Sequence, residues 1–323
     1  MTAFYFREFG KQTSGDRTFE FTHKSFGEYL TARRIIRAVD DIQDEIERHQ
    51  KNPDKGYSTR GALEVWARIC GPTEMDNYLF NFVRDEVASY DPEEIEKWQN
   101  SFGDMLSSAV RHAMPMEKLG IDHFAEMLKQ SRNAEESLLA IHYACFISHP
   151  TKKSVIDWGD STAFGVWWKR IQGQRKGSGN PLAANLLSGL NLSACHLDMT
   201  DFFSGYLMGI NLQDSHLYNA NLESADLRKA NLEGADLRKA NLEGANLEGA
   251  NLQGAILERA ILQGANLQGA ILERAILQGA NLQGANLEGA NLEGAILEEA
   301  RLQGVNLKKT NLDKSYIQNI IRK

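Results

Sequence analysis

Residues 220–249 read ANLES ADLRK ANLEG ADLRK ANLEG ANLEG, six five-residue words that keep Ala in first place and Leu in third. Outward from this stretch the phase holds. An apolar residue recurs every five positions from Leu187 to Ile317, about 27 units, and it is Leu except at Phe202 and Ile317. From Ala220 to Ala300 the residue two places before it is always Ala. A period of five fits neither a helix at 3.6 nor a strand at 2. It fits a chain that turns a corner every five residues, so that four units make a square coil of twenty and each Leu lies over the Leu twenty residues earlier. Coils paired at strand spacing, roughly 4.8 Å, give a rod of about 6.75 coils and about 32 Å. No single coil buries its own Leu, so many must stack. A disordered tract would not hold Leu in phase over such a length.

The words Ala225-Asp226-Leu227-Arg228-Lys229 and Ala245-Asn246-Leu247-Glu248-Gly249 resemble the pentapeptide-repeat family, A-(D/N)-L-x-x. That resemblance implies a right-handed quadrilateral β-helix over residues 182–323, a bacterial setting, an outer surface that binds partners, and no catalytic group. The first coils are looser, with Leu190, Thr200, Gly205 and Ile210 in the small-residue place, as expected of a solenoid end adapting to the chain before it.

A net charge of −7 over 323 residues gives no electrostatic reason to expect nucleic acid or an anionic membrane as partner. Cys70, Cys145 and Cys195 are odd in number and far apart, and read as reduced, buried thiols. No apolar run reaches membrane-spanning length and no signal sequence opens the chain, which points to the cytoplasm. The stretch GQRKGSGNP at 173–181 lacks hydrophobic periodicity and is the linker candidate; every Trp and Pro lies at or before Pro181. The expected organisation is thus α+β in two domains. A mainly α-helical domain with a short β-hairpin, 1–178, precedes the solenoid, 182–323.

In the first half, Phe4–Phe9 and Thr18–Phe21 are strand candidates joined by a polar loop. Helices are expected near 24–48, 60–70, 74–89, 121–130, 134–148 and 162–171, and Asp91-Pro92-Glu93-Glu94 is a helix start. Residues 19–33, FEFTHKSFGEYLTAR, resemble a motif downstream of the nucleotide-binding core in NACHT-type signalling ATPases. The resemblance implies that His23 fixes a hairpin-to-helix junction while Phe26, Glu28 and Tyr29 complete the motif. A phosphate-binding loop is lacking: the only near match, Gly10–Arg17, places Asp16 where Lys belongs. The chain therefore reads as beginning after such an ATPase.

No catalytic residues, cofactor or metal ligands are expected. His142, Cys145 and His149 share a helix face but find no further ligands, and Asp40-Asp41 lie on a polar helix end. Trp158, Trp167 and Trp168 fit a plug for the open first coil, or an aromatic binding surface. On the rod, Ile replaces Asn or Asp before Leu at Ile256, Ile261, Ile271, Ile276 and Ile296. Register places Ile256, Ile276 and Ile296 on one face, with Ile261 and Ile271 on its two neighbours. Two readings stand: an interface, or drift by duplication, since 251–265 recurs as 266–280. The function expected is a non-catalytic interaction or sensor module with a protein partner and a homodimer formed through the rod's end or the Ile stripe. The alternative is the DNA mimicry that acts on gyrase in part of the family, against which residues 182–323 carry 16 acidic and 12 basic side chains.

Overall fold

The computed structural model describes residues 6–8, 19–21, 24–149, 156–173 and 182–312. Strands β1 (Phe6–Glu8) and β2 (Phe19–Phe21) pair antiparallel with Phe6 opposite Phe21. The residues between them, and with them the Gly10–Arg17 stretch, lie outside the described residues, as does His23.

Five helices follow: α1 (Lys24–Lys51), α2 (Thr59–Cys70), α3 (Asn77–Val87), α4 (Pro92–His112) and α5 (Phe124–Ser148). Their starts obey capping chemistry. Ser58 Oγ accepts from Gly61 N–H, Asp76 Oδ1 accepts from Leu79 N–H, and Pro92 opens α4 with Glu93 and Glu94 at its positive end. Ile35, Val39 and Ile42 of α1 are buried at helical spacing. Helix α5 is continuous where two helices were expected. Across the gap between the two expected helices, Asn133 Nδ2 donates to Gly71 O at 2.9 Å and Trp66 Nε1 donates to Ala134 O at 2.9 Å.

The chain divides into two compact units, Met1–Met105 with Met114–Pro150, and Leu106–Ala113 with Thr151–Lys323. Contacts thus group α6 (Ala163–Gly173) with the coils, ahead of the 173–181 stretch where the sequence suggested a boundary.

In the coils, parallel bridges recur every five residues from Asn191↔Asn211 to Asn286↔Asn306, each joining positions twenty apart. Leu222 to Leu297 and the Ala between them line the buried interior. The word Ala250–Gly254 shows why its residue types are needed. Ala250 N–H closes the corner on Leu247 O, Asn251 N–H reaches back to Ala230 O, and Leu252 and Gly254 N–H reach forward to Ile271 O and Glu273 O. The fifth amide, Gln253 N–H, is taken by Asn251 Oδ1 at 3.1 Å. Every backbone donor of the unit is therefore satisfied. Gly254 sits at φ +64°, the sign that the third position of a type II turn demands.

Candidate functional site

Ile256, Ile276 and Ile296 bridge one another in three successive coils, so the expected column exists as a continuous apolar strip. Ile261, Ile271 and Ile296 are 38%, 40% and 40% exposed; Ile256 and Ile276 are half-buried by their stacked neighbours. At each described Asn or Asp in this place from Asn191 to Asn306, the side-chain Oδ1 accepts the amide two residues on, as in Asn246 with Glu248 and Asn281 with Gln283. Asn also donates down the column, as in the ladder Asn306, Asn286, Asn266, Asn246 at 2.9–3.1 Å. Ile can do neither. Each Ile forgoes a hydrogen bond of about 1 kcal/mol and leaves an apolar side chain toward water. The stripe is therefore unfavourable for the rod by itself.

The same column continues as Asp236, His216 and His196. Asp236 forms a fork with Arg238 (Nε to Oδ1 2.8 Å), and Asp226 does so with Arg228 (2.8 Å). The guanidinium in each pair holds its carboxyl below the usual carboxylate range. Lys309 Nζ reaches Glu288 Oε1 at 2.9 Å and lowers that carboxyl too. The rod's surface is thus mixed in sign, with several acids individually neutralised.

The Trp residues pack as a plug. Trp158, Phe164, Trp167 and Trp168 form one aromatic cluster, and Trp168 stacks on Phe202 with ring centroids 5.8 Å apart. Trp158 Nε1 donates to Asn191 O at 2.7 Å, Trp168 Nε1 to Asp201 O at 3.1 Å, and Lys169 Nζ to Asp198 O at 2.7 Å. These donors occupy carbonyls that the first coil has no preceding coil to satisfy.

Other sequence candidates fall apart as chemistry. Asp40 Oδ2 accepts from Tyr90 OH at 3.1 Å, and burial raises its carboxyl. His142 is fully buried with neither ring nitrogen partnered, and desolvation lowers it to about 4; Cys145 is pushed up to about 12. All three cysteines are free and buried. Tyr29 meets Phe82 edge-on at 5.9 Å and lies 6.5 Å from Phe26. Among the described residues, His196, Asp198 and His216 are the group with ligand atoms close enough to share a metal ion. The twenty-residue register that stacks the Ile residues also brings His196 over His216, a pairing the sequence pattern of Ile made visible but that of His did not.

Four five-residue sides to a coil, a parallel ladder at twenty residues and an Ala/Leu interior define a quadrilateral β-solenoid. Residues 206–244, 240–279 and 275–313 match the family model described as pentapeptide repeats (8 copies), and this stretch belongs to that family. Among solved structures, the pentapeptide repeat protein Rfr23 from the cyanobacterium Cyanothece 51142 is 50% identical over 30% of this chain, with a TM-score of 0.27. The match spans 64% of that protein's length. HetL, a pentapeptide repeat protein involved in heterocyst differentiation regulation from Nostoc sp. strain PCC 7120, is 33% identical over 39% of this chain and 75% of its own, TM-score 0.16. QnrB1, a plasmid-mediated fluoroquinolone resistance protein, is 21% identical over 41% of this chain and 82% of its own, TM-score 0.24. No curated protein sequence matches the chain.

Proposed function

We propose that the protein is a non-catalytic interaction or sensor module, in which the rod (182–323) recognises a protein partner and the helical part (1–178) is a NACHT-associated arm. The observation that carries the reading is the Ile column. Ile256, Ile276 and Ile296 stack on one face where Asn would add an amide acceptor, and Ile261 and Ile271 widen the patch onto the two neighbouring faces. An exposed apolar strip on a polar rod is a docking feature. Half-exposed Leu302, Leu307 and Leu312 offer a second, end-on route to a homodimer. Phe26, Glu28 and Tyr29 are assigned structural roles in the arm, and the setting is cytoplasmic. No helix among the described residues is long and apolar enough to cross a membrane.

The test is a pull-down comparing the wild-type chain with Ile276→Asn and Ile296→Asn. Asn restores the standard word, so each variant should melt at or above the wild-type temperature while losing the partner. A partner retained equally by both folded variants removes the Ile face from the interaction.

A further inference from the structure

We propose that His196, Asp198 and His216 form a binding site for a divalent transition-metal ion on the first two coils of the rod. The two imidazoles occupy the same place in successive coils, joined by a parallel backbone bridge, and their rings lie 7° from parallel with centroids 4.5 Å apart. Asp198 lies two residues after His196, and one ligand atom from each of the three side chains falls within 4.8 Å of the others.

The carboxylate is already oriented. At ordinary positions the amide two residues after the Asn is taken by that Asn, and His216 cannot do this for Tyr218. Instead Tyr218 N–H donates to Asp198 Oδ1 at 2.9 Å, across the coils. This second contact fixes the carboxylate beside the imidazoles, as hydrogen bonds behind a ligand do in metal sites. His196 N–H donates to Ser161 O at 2.6 Å, which anchors the lower His backbone to the segment leading into α6.

The donor set selects the ion. Two imidazoles and one carboxylate suit Zn²⁺, Co²⁺, Ni²⁺ or Cu²⁺, whereas Mg²⁺ and Ca²⁺ want all-oxygen cages. With metal–nitrogen bonds of about 2.1 Å, two nitrogens on a tetrahedral ion lie about 3.4 Å apart, so the stacked rings must tilt to aim their lone pairs at one point. Both His are exposed. Three protein ligands leave a fourth position open to water or to a donor from another molecule.

The experiment is calorimetric titration of Zn²⁺ into the full-length, tag-free chain, with Mg²⁺ as control, alongside His216→Asn and Asp198→Asn. Asn is the standard residue at position 216, so that variant keeps the fold, and circular dichroism verifies it. The expected result is one Zn²⁺ per chain with a dissociation constant below about 100 µM. Each variant should bind roughly tenfold or more weakly, and Mg²⁺ should not compete. Zn²⁺ should also raise the wild-type melting temperature and leave that of His216→Asn unmoved. Absence of Zn²⁺ binding by the wild type at that level, or binding unchanged in both folded variants, would overturn the site.

Discussion

At the scale of single residues, the coil is governed by one side-chain oxygen. Asn or Asp before Leu closes the last open amide of its word, and Ile, His, Tyr206 and Arg301 stand in that place elsewhere. Ile supplies apolar surface, and His216 shifts its amide to Asp198. The opposite case is His142, whose unpartnered ring is held neutral by burial at about 4, against an ordinary value of 6.5. Its folded value is depressed, so the unfolded chain binds the proton more readily between those two values. Stability is therefore full above pH 6.5 and is lost as pH falls toward 4. From pH 7.5 to 5 the loss from this residue should be about 2 kcal/mol in urea unfolding. His142→Leu should flatten that part of the profile; an unchanged slope would show that His142 finds a proton acceptor on charging. The carboxyls of Asp226 and Asp236, lowered from 3.8 by their arginines, act only at more acid pH.

At the scale of elements, the solenoid was legible because a five-residue word repeats the same interior and the same hydrogen bonds at every step. Leu at phase three could only be core. Helices α1 to α4 were legible through caps and spacing, whereas the continuity of α5 was not: the bonds from Asn133 to Gly71 O and from Trp66 to Ala134 O are long-range and leave no local mark. The pairing of His196 with His216 was hidden for a similar reason, since the two are neighbours only after the coil closes. Helix α6 shows what a solenoid end requires. Its Trp168 fills space over Phe202 and donates to Asp201 O. Trp168→Ala should cost about 3–5 kcal/mol in denaturant unfolding of the repeat region. A loss under about 1 kcal/mol would mean that the first coil holds its own edge.

At the scale of the whole molecule, the competing reading is a rod that imitates duplex DNA. DNA carries one negative charge per about 1.7 Å, so a rod of about 32 Å would need roughly nineteen charges in excess. Residues 182–323 carry 16 acidic against 12 basic side chains. Three of those acids, Asp226, Asp236 and Glu288, are already bound to Arg228, Arg238 and Lys309. Arg259, Arg274 and Arg301 add further positive charge along the coils, and the Ile column puts hydrocarbon where Asn or Asp otherwise stands. The proposed recognition therefore rests on shape and apolar contact, with charge setting register rather than affinity. The chain added to DNA gyrase at stoichiometric amounts should therefore leave supercoiling unchanged. It should do so even at low ionic strength, where a polyanion mimic would bind most tightly. Inhibition at one chain per gyrase, weakened by added salt and untouched by Ile276→Asn, would instead place the active surface on the acidic residues and away from the Ile column.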